Sequence, residues 1–165
     1  MLNEEIGNAF TVETLSLRRH SSGSTPAPTD LFDFAIYMGL CENDVLNPNF
    51  DSNFIPGTRT IVFSRDSLHL EVNPDELVTF DLDTPYWYNG VDNLLVEVLW
   101  SSGEETGSEC VYTWHWNTGA MRCASGLYSA SSGSLTSIIP WMQITGASDL
   151  ETCTFGEVKT LFTGR

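Results

Sequence analysis

An all-β, antiparallel two-sheet sandwich, jelly-roll-like and of about eight or nine strands, is the fold this chain predicts. Three observations carry that prediction. Between Ser67 and Leu82, apolar and polar residues alternate in two runs parted by Asn73-Pro74-Asp75, the mark of half-buried antiparallel strands. From Leu94 to Trp100 runs a near-continuous series of strand formers behind the Asn89-Gly90 turn, which suits a central strand buried on both faces. Turn signals recur about every ten residues, and the one stretch with a helical pattern, 157–162, is too short to matter.

The elements follow in order. Residues 10–20 read as a strand with Val12, Leu15 and Leu17 toward the core, and 21–29 as a surface loop rich in Ser, Pro and Thr. A second strand covers 31–40, followed by the polar stretch 41–53 and a turn at Pro56-Gly57. Leu68, Leu70 and Val72 point one way while Ser67, His69 and Glu71 point the other, and Val78, Phe80 and Leu82 alternate with Thr79 and Asp81. After the 94–100 strand come an acidic loop at 103–109 and strands near 110–116 and 120–128. A Ser/Gly loop at 129–134 and a last core strand over 138–145 complete the series. The expected interior holds Leu15, Leu17, Ile36, Leu70, Val78, Phe80, Leu82, Val96 and Val98. At 165 residues the chain makes one domain, read as a sandwich over 7–146 with an N-terminal arm at 1–6 and a C-terminal extension at 147–165.

Charge narrows the partners. With 22 acidic residues against 7 basic, the net charge is −15, and Lys159 is the one lysine. Nucleic-acid affinity comes largely from Lys and Arg neutralising phosphates, so nucleic acid is excluded. Anionic membranes are disfavoured on the same ground, and no stretch approaches the roughly 20 apolar residues of a membrane span. Multivalent cations or a basic partner are the electrostatic complement. The opening Met1-Leu2-Asn3-Glu4-Glu5 has neither the basic start nor the apolar run of a signal peptide.

Cys41, Cys110, Cys123 and Cys153 are an even set without a C-x-x-C pair, which excludes thioredoxin chemistry and the usual zinc spacing. In an exported protein they would form two disulfides, with Cys110–Cys123 and Cys41–Cys153 the favoured pairings. Buried reduced thiols are the alternative.

Catalytic signals are weak. His20, His69 and His115 are scattered without ligand-like neighbours, and His115 reads as solvent-facing. No nucleophile elbow, zincin motif, phosphate loop or dinucleotide fingerprint occurs. Asp81 and Asp83 imitate a carboxylate pair, yet strand alternation accounts for them, and the chain is expected not to be an enzyme. The oxygen-rich stretch around Asp44, Asn47, Asn49 and Asp51 is the candidate Ca²⁺ site, with Asx-turns in a polar loop as the competing account. Trp87, Tyr88, Trp114 and Trp116 supply the flat rings that a carbohydrate-binding face needs, and a sandwich core would use the same rings for packing.

One segment has a specific resemblance. Thr84-Pro85-Tyr86-Trp87-Tyr88-Asn89-Gly90-Val91-Asp92-Asn93-Leu94-Leu95-Val96-Glu97-Val98 resembles the phrase "TPFxYNGxDNLLVEV" of secreted and cell-surface bacterial β-sandwich domains. The stretches 12–17, 34–39, 61–63, 78–86 and 139–144 resemble other strands of those domains, so the likeness covers about residues 7 to 146. The tail 154–162 is similar to short "TWGxIKALF" endings of some secreted proteins. The resemblance implies a non-catalytic module located outside the cell or on its surface. Only Met1 to Asn8 precede the matching region, where the family has a first strand, so the sandwich is expected to lack one of its own. An incomplete sandwich invites β-strand addition. The leading expectation is thus a structural subunit of filament or surface-layer type, forming a homo-oligomer or polymer through a terminal segment. Ile6, Phe10 and Val12, or Phe155, Leu161 and Phe162, would be the inserted side chains. A carbohydrate-binding or accessory module of a larger secreted protein is the alternative.

Overall fold

The computed structural model describes residues 1–21, 27–105 and 113–147. In chain order they form α1 (Asn3–Ile6), β1 (Phe10–Arg18), β2 (Ala27–Cys41), a 3-10 turn (Asp51–Asn53), β3 (Thr60–Val72), β4 (Leu77–Tyr88) and β5 (Asn93–Leu99). The short strands β6 (Ser102–Glu105), β7 (His115–Asn117), β8 (Cys123–Ser125), β9 (Ser134–Thr136) and β10 (Ile138–Pro140) precede β11 (Met142–Ala147). Every pairing between these strands is antiparallel. The expected all-β, sandwich-like fold is what the chain adopts.

Two sheets make the body. One has the order β11-β1-β4, the other β3-β2-β5, with β6 continuing the β5 flank of β2. Val12 and Leu15 from β1 meet Phe34, Ile36 and Met38 from β2 in a shared core. Phe80 of β4 stacks on Phe34 at 5.5 Å and meets Phe63 of β3 edge-on at 5.3 Å, so three rings lock the two sheets together. Every residue expected inside either belongs to this cluster or packs against it.

Three differences from the sequence reading have physical causes. β2 begins at Ala27, inside the stretch read as a loop, because its ladder with β3 runs on to Ala27↔Val72. The strands outnumber the expected set because residues 113–147 break into short pairs, β7 with β10 and β8 with β9. β5 is not central: among the described residues it pairs with β2 alone. Of its outward side chains Leu95 faces Gly39 and Leu99 faces Ala35, while Glu97 between them is held by Arg59, and the Phe54 ring lies so close over Gly39 that a Cβ there would collide with it.

A smaller unit covers this end of the second sheet. The polar loop after β2 hydrogen-bonds to the β8–β9 region through Leu46 N–H to Met121 O at 2.8 Å, Phe50 N–H to Ser131 O at 3.1 Å and Gly133 N–H to Pro48 O at 2.9 Å. Cys41 and Cys123 carry free thiols, so the expected disulfides are absent at both described cysteines, and Cys110 and Cys153 lie outside the described residues. Cys41 is instead buried in a local turn, with its Sγ 3.4 Å from the Asn43 amide nitrogen. Burial pushes both thiols up, which keeps them protonated.

Candidate functional site

The N-terminal arm folds back on its own domain. The Met1 nitrogen donates to Leu94 O at 2.9 Å and Leu94 N–H returns a bond to Met1 O at 3.0 Å, the reciprocal exchange of an antiparallel bridge. Asn3 N–H binds Asn93 Oδ1 at 2.9 Å and its side-chain amide binds Val91 O at 2.8 Å, while the Glu5 carboxylate holds both Leu2 N–H and Arg122. This corrects the assembly residues expected at the N-terminus. Val12 is fully buried in the middle strand of its own sheet, and Ile6 and Phe10 pack on the same core. The reason is that α1 reverses the chain and delivers Phe10 directly into β1. Phe155, Leu161 and Phe162 lie outside the described residues.

The aromatic set divides. Tyr88 is a core residue, edge-on to Phe10 at 6.0 Å, which corrects its place among ligand-facing rings. Trp87, on the opposite face of β4, is 49% exposed, as period-two alternation requires. Trp114 is engaged with neighbours: its Nε1–H donates to Asp75 at 2.8 Å, His20 lies 4.4 Å from its ring and Arg18 lies over it at 5.8 Å. Trp116 is 58% exposed on β7, and His115 beside it faces solvent as expected.

The four candidate metal residues are put to separate uses. Asn47 and Asn49 direct their side-chain oxygens at the N–H groups of Asn49 and Ser52, at 2.9 and 3.1 Å, while the Asn53 amide spans three loop carbonyls. These are Asx-turn bonds that hold the loop. Asp51 faces Arg59 at 3.4 Å, and Asp44 accepts from Asn93 at 3.1 Å. Asp44 also borders a polar depression of about 210 Å³ with Glu42, Asp92, Asn93 and Asn3. Among the described residues no group of three or more His, Cys, Asp or Glu is arranged to hold a metal ion.

Sequence reasoning missed the feature that distinguishes this molecule, the difference between its two flanks. On one flank β3 and β4 run close together, and Val62, Phe63, Phe80 and Tyr86 are buried there. The ladder of β4 with β1 slips between Val12 and Thr14, where β4 carries extra residues ending in Pro85. Asp83, in that slip, grips the Arg65 guanidinium with two bonds of 2.7 and 3.0 Å and accepts Ser64 N–H at 3.1 Å. Both bonds hold the Asp83 carboxyl below the usual carboxylate range, the Arg65 contribution being the larger.

On the other flank β5 and β11 make no comparable approach among the described residues. Their inward side chains Val96, Val98, Met142 and Ile144 are partly buried, as Leu68, Leu70, Val78 and Leu82 are on the β3–β4 flank. Main-chain groups alternate along a strand, so the bridge at Leu94 tells where the rest point. Leu94, Val96 and Val98 direct N–H and C=O away from β2, and Met1 uses those of Leu94.

No family model, no curated protein and no solved structure matches this chain. Among the described residues no helix is long and apolar enough to cross a membrane.

Proposed function

We propose that this chain is a non-catalytic structural subunit of an extracellular or cell-surface assembly, and that it assembles by β-strand addition through its C-terminal segment. The observation that supports this most is the β5–β11 flank, which among the described residues offers a strand edge and a partly covered apolar seam on the same side. Strand addition needs both: main-chain groups for affinity and a seam that takes alternate side chains. The N-terminal arm is spent in its own fold, which leaves residues 148–165 as the donor. Location outside the cell rests on the resemblance of residues 84–98 to secreted sandwich domains. The acidic surface works against self-association, since subunits of net charge −15 repel, and salt or multivalent cations should therefore favour the assembled form.

Solution mass by light scattering, with electron microscopy of the same sample, tests the proposal. The full chain is expected to form oligomers or filaments that lengthen as salt rises from low to about 0.5 M, where the Debye length falls well below 10 Å. A strict monomer at millimolar concentration and high salt overturns it in favour of an accessory module.

A further inference from the structure

We infer that the outer face of the β11-β1-β4 sheet binds a neutral glycan, with the Trp87 indole as the stacking platform and the Asp81 carboxylate as the acceptor for a sugar hydroxyl. This goes beyond the assembly reading and uses a different surface, a sheet face rather than a strand edge. The strand registers define the face. Tyr86 and Tyr88 turn into the core, so Trp87 turns outward, level with Thr11 of β1. Past the slip in that ladder Phe80 and Leu15 turn inward, and the outward pair is Asp81 with Thr14, flanked on β11 by Thr145. The next outward row holds Ser16 and Thr79.

Three observations point to a sugar. Trp87 is a half-exposed ring set on a face otherwise made of hydroxyls and a carboxylate. Those hydroxyls are ordered: Thr14 meets Thr145 at 2.6 Å and Ser16 meets Thr79 at 2.8 Å, cross-strand pairs that fix the oxygens in rows and leave each with bonding capacity to spare. Two polar groups are also unspent. Among the described residues neither the Trp87 indole N–H nor the Asp81 carboxylate has a hydrogen-bond or ion-pair partner, whereas Trp114 gives its Nε1–H to Asp75. A pyranose ring offers a C–H face to an indole and a rim of hydroxyls to oxygen acceptors, so it uses both parts of this face at once. The Trp87 and Asp81 rows are three positions of β1 apart, about 10 Å, so one sugar on the indole places its neighbour at the carboxylate. Charge selects the glycan. Asp81 and a body of net charge −15 repel uronic acids and sulfated chains. Over these rows Trp87 is the one large apolar side chain, too little for the buried anchor cluster of a protein partner. Stacking favours equatorially substituted rings, whose C–H face is unbroken, so the ligand class is a glucose- or N-acetylglucosamine-type chain.

Titration of the full chain with cellohexaose and with chitohexaose, followed by nuclear magnetic resonance of the indole N–H groups, tests the site. With at least one of the two, the Trp87 resonance, assigned through Trp87→Phe, and the Thr14 amide should shift saturably. Trp116, which lies on a different sheet opposite Ile139, should not respond. Trp87→Ala should weaken binding roughly tenfold, and Asp81→Asn several-fold. Both side chains are exposed, so both variants should keep the parent's unfolding midpoint. Should Trp87→Ala nevertheless unfold, the parent's Trp87 shift and the affinity of Asp81→Asn decide. No saturable shift at Trp87 with either ligand, or unchanged affinity in folded Trp87→Ala, overturns the inference. Equal affinity for an anionic hexagalacturonate overturns it as well. Light scattering on the same samples keeps this proposal apart from assembly, since a glycan on the sheet face moves Trp87 in monomers and oligomers alike.

Discussion

The two flanks of this sandwich solve the same problem in opposite ways. Among the described residues, each sheet ends in a strand whose outer edge lacks a neighbour in its own sheet. On the β3–β4 flank the two edge strands lean together, aromatic rings from both sheets interlock and Asp83 ties the seam with a charged clamp. On the β5–β11 flank the edge strands stay apart, the inward side chains are smaller or flexible, and among the described residues a bridge to Met1 at Leu94 is what occupies the edge. Natural sheets protect edges with bulges, prolines and charges. Pro85, the register slip and Asp83 do this on one flank, whereas β5 between Leu94 and Leu99 has no proline or register slip and a single charge, Glu97, paired with Arg59. On the strand-addition reading proposed above, the β5–β11 flank is the one that receives a partner strand.

Core substitutions give the largest expected difference. Phe80→Ala removes a ring that stacks on Phe34 and meets Phe63, and should cost roughly 3–5 kcal/mol in urea unfolding. Val98→Ala on the other flank should cost only about 1 kcal/mol in isolated subunits, because the side chain is already part-exposed. Equal losses at the two positions would mean the flanks are sealed alike, and the contrast would fall.

A second substitution asks why Leu95 is apolar on the outward face of β5. Gly39 lies opposite Leu95 and beneath the Phe54 ring, and Arg59 packs between Phe54 and Tyr37 while its guanidinium holds Glu97 at 2.7 Å. Gly39→Ala should push Phe54 off the sheet and cost roughly 1–3 kcal/mol by overpacking. A crystal structure or nuclear Overhauser contacts would show the ring displaced. A neutral substitution with Phe54 in place would show that the loop, not the missing Cβ, sets the close approach.

Much of this architecture was legible in the residues, and the reasons are local. Alternation over 67–72 and 78–82 placed Leu70, Val78, Phe80 and Leu82 inward, because the period-two rule depends on the strand alone. The same rule, applied to Tyr86, Trp87 and Tyr88, separates the buried rings from the exposed one. Strand order was not legible. Whether β5 lies mid-sheet or at a flank depends on which strands find it, and its continuous apolar run is equally satisfied by a second neighbour or by Gly39 and Phe54 above it. The asparagine loop misled in a related way: a ligand cage and a set of Asx-turns need the same residues, and only the direction of Asn47 and Asn49 toward backbone N–H groups tells them apart.

Tyr88 sharpens the contrast at high pH. Its hydroxyl is buried without a hydrogen-bond partner among the described residues, whereas Tyr86 reaches Thr58 O at 3.4 Å. Burial raises both phenols above the ordinary value of 10.0, so the folded state keeps protons that the unfolded chain releases. Their contribution is whole below that value and is lost as pH rises through the folded values. Tyr88→Phe should leave stability near neutral pH unchanged or raise it by up to about 1 kcal/mol, since an unpaired buried hydroxyl is removed. It should also weaken the alkaline loss. Destabilisation at pH 7 would reveal a partner for the hydroxyl.

The smallest effect belongs to the charged clamp on the closed flank. Asp83 is depressed below its ordinary 3.8 by Arg65 first and Ser64 N–H second, so its contribution is present above that value and disappears as pH falls through the lower, folded one. The pair lies on the surface, where solvent and salt screen it, so the loss in Asp83→Asn should be slight and should shrink in high salt. Its local signature is clearer than its global one. Asparagine keeps an oxygen for Ser64 N–H but gives up the two-pronged hold on Arg65, so the Ser64 amide should exchange faster at neutral pH while Val62 and Phe63 beneath it are undisturbed. Once pH falls below the depressed folded value the mutant and the parent should behave alike, because the parent carboxyl is then protonated. If the difference between them persists in acid, the clamp works through shape rather than charge, and the closed flank owes its seal to the slip in β4 alone.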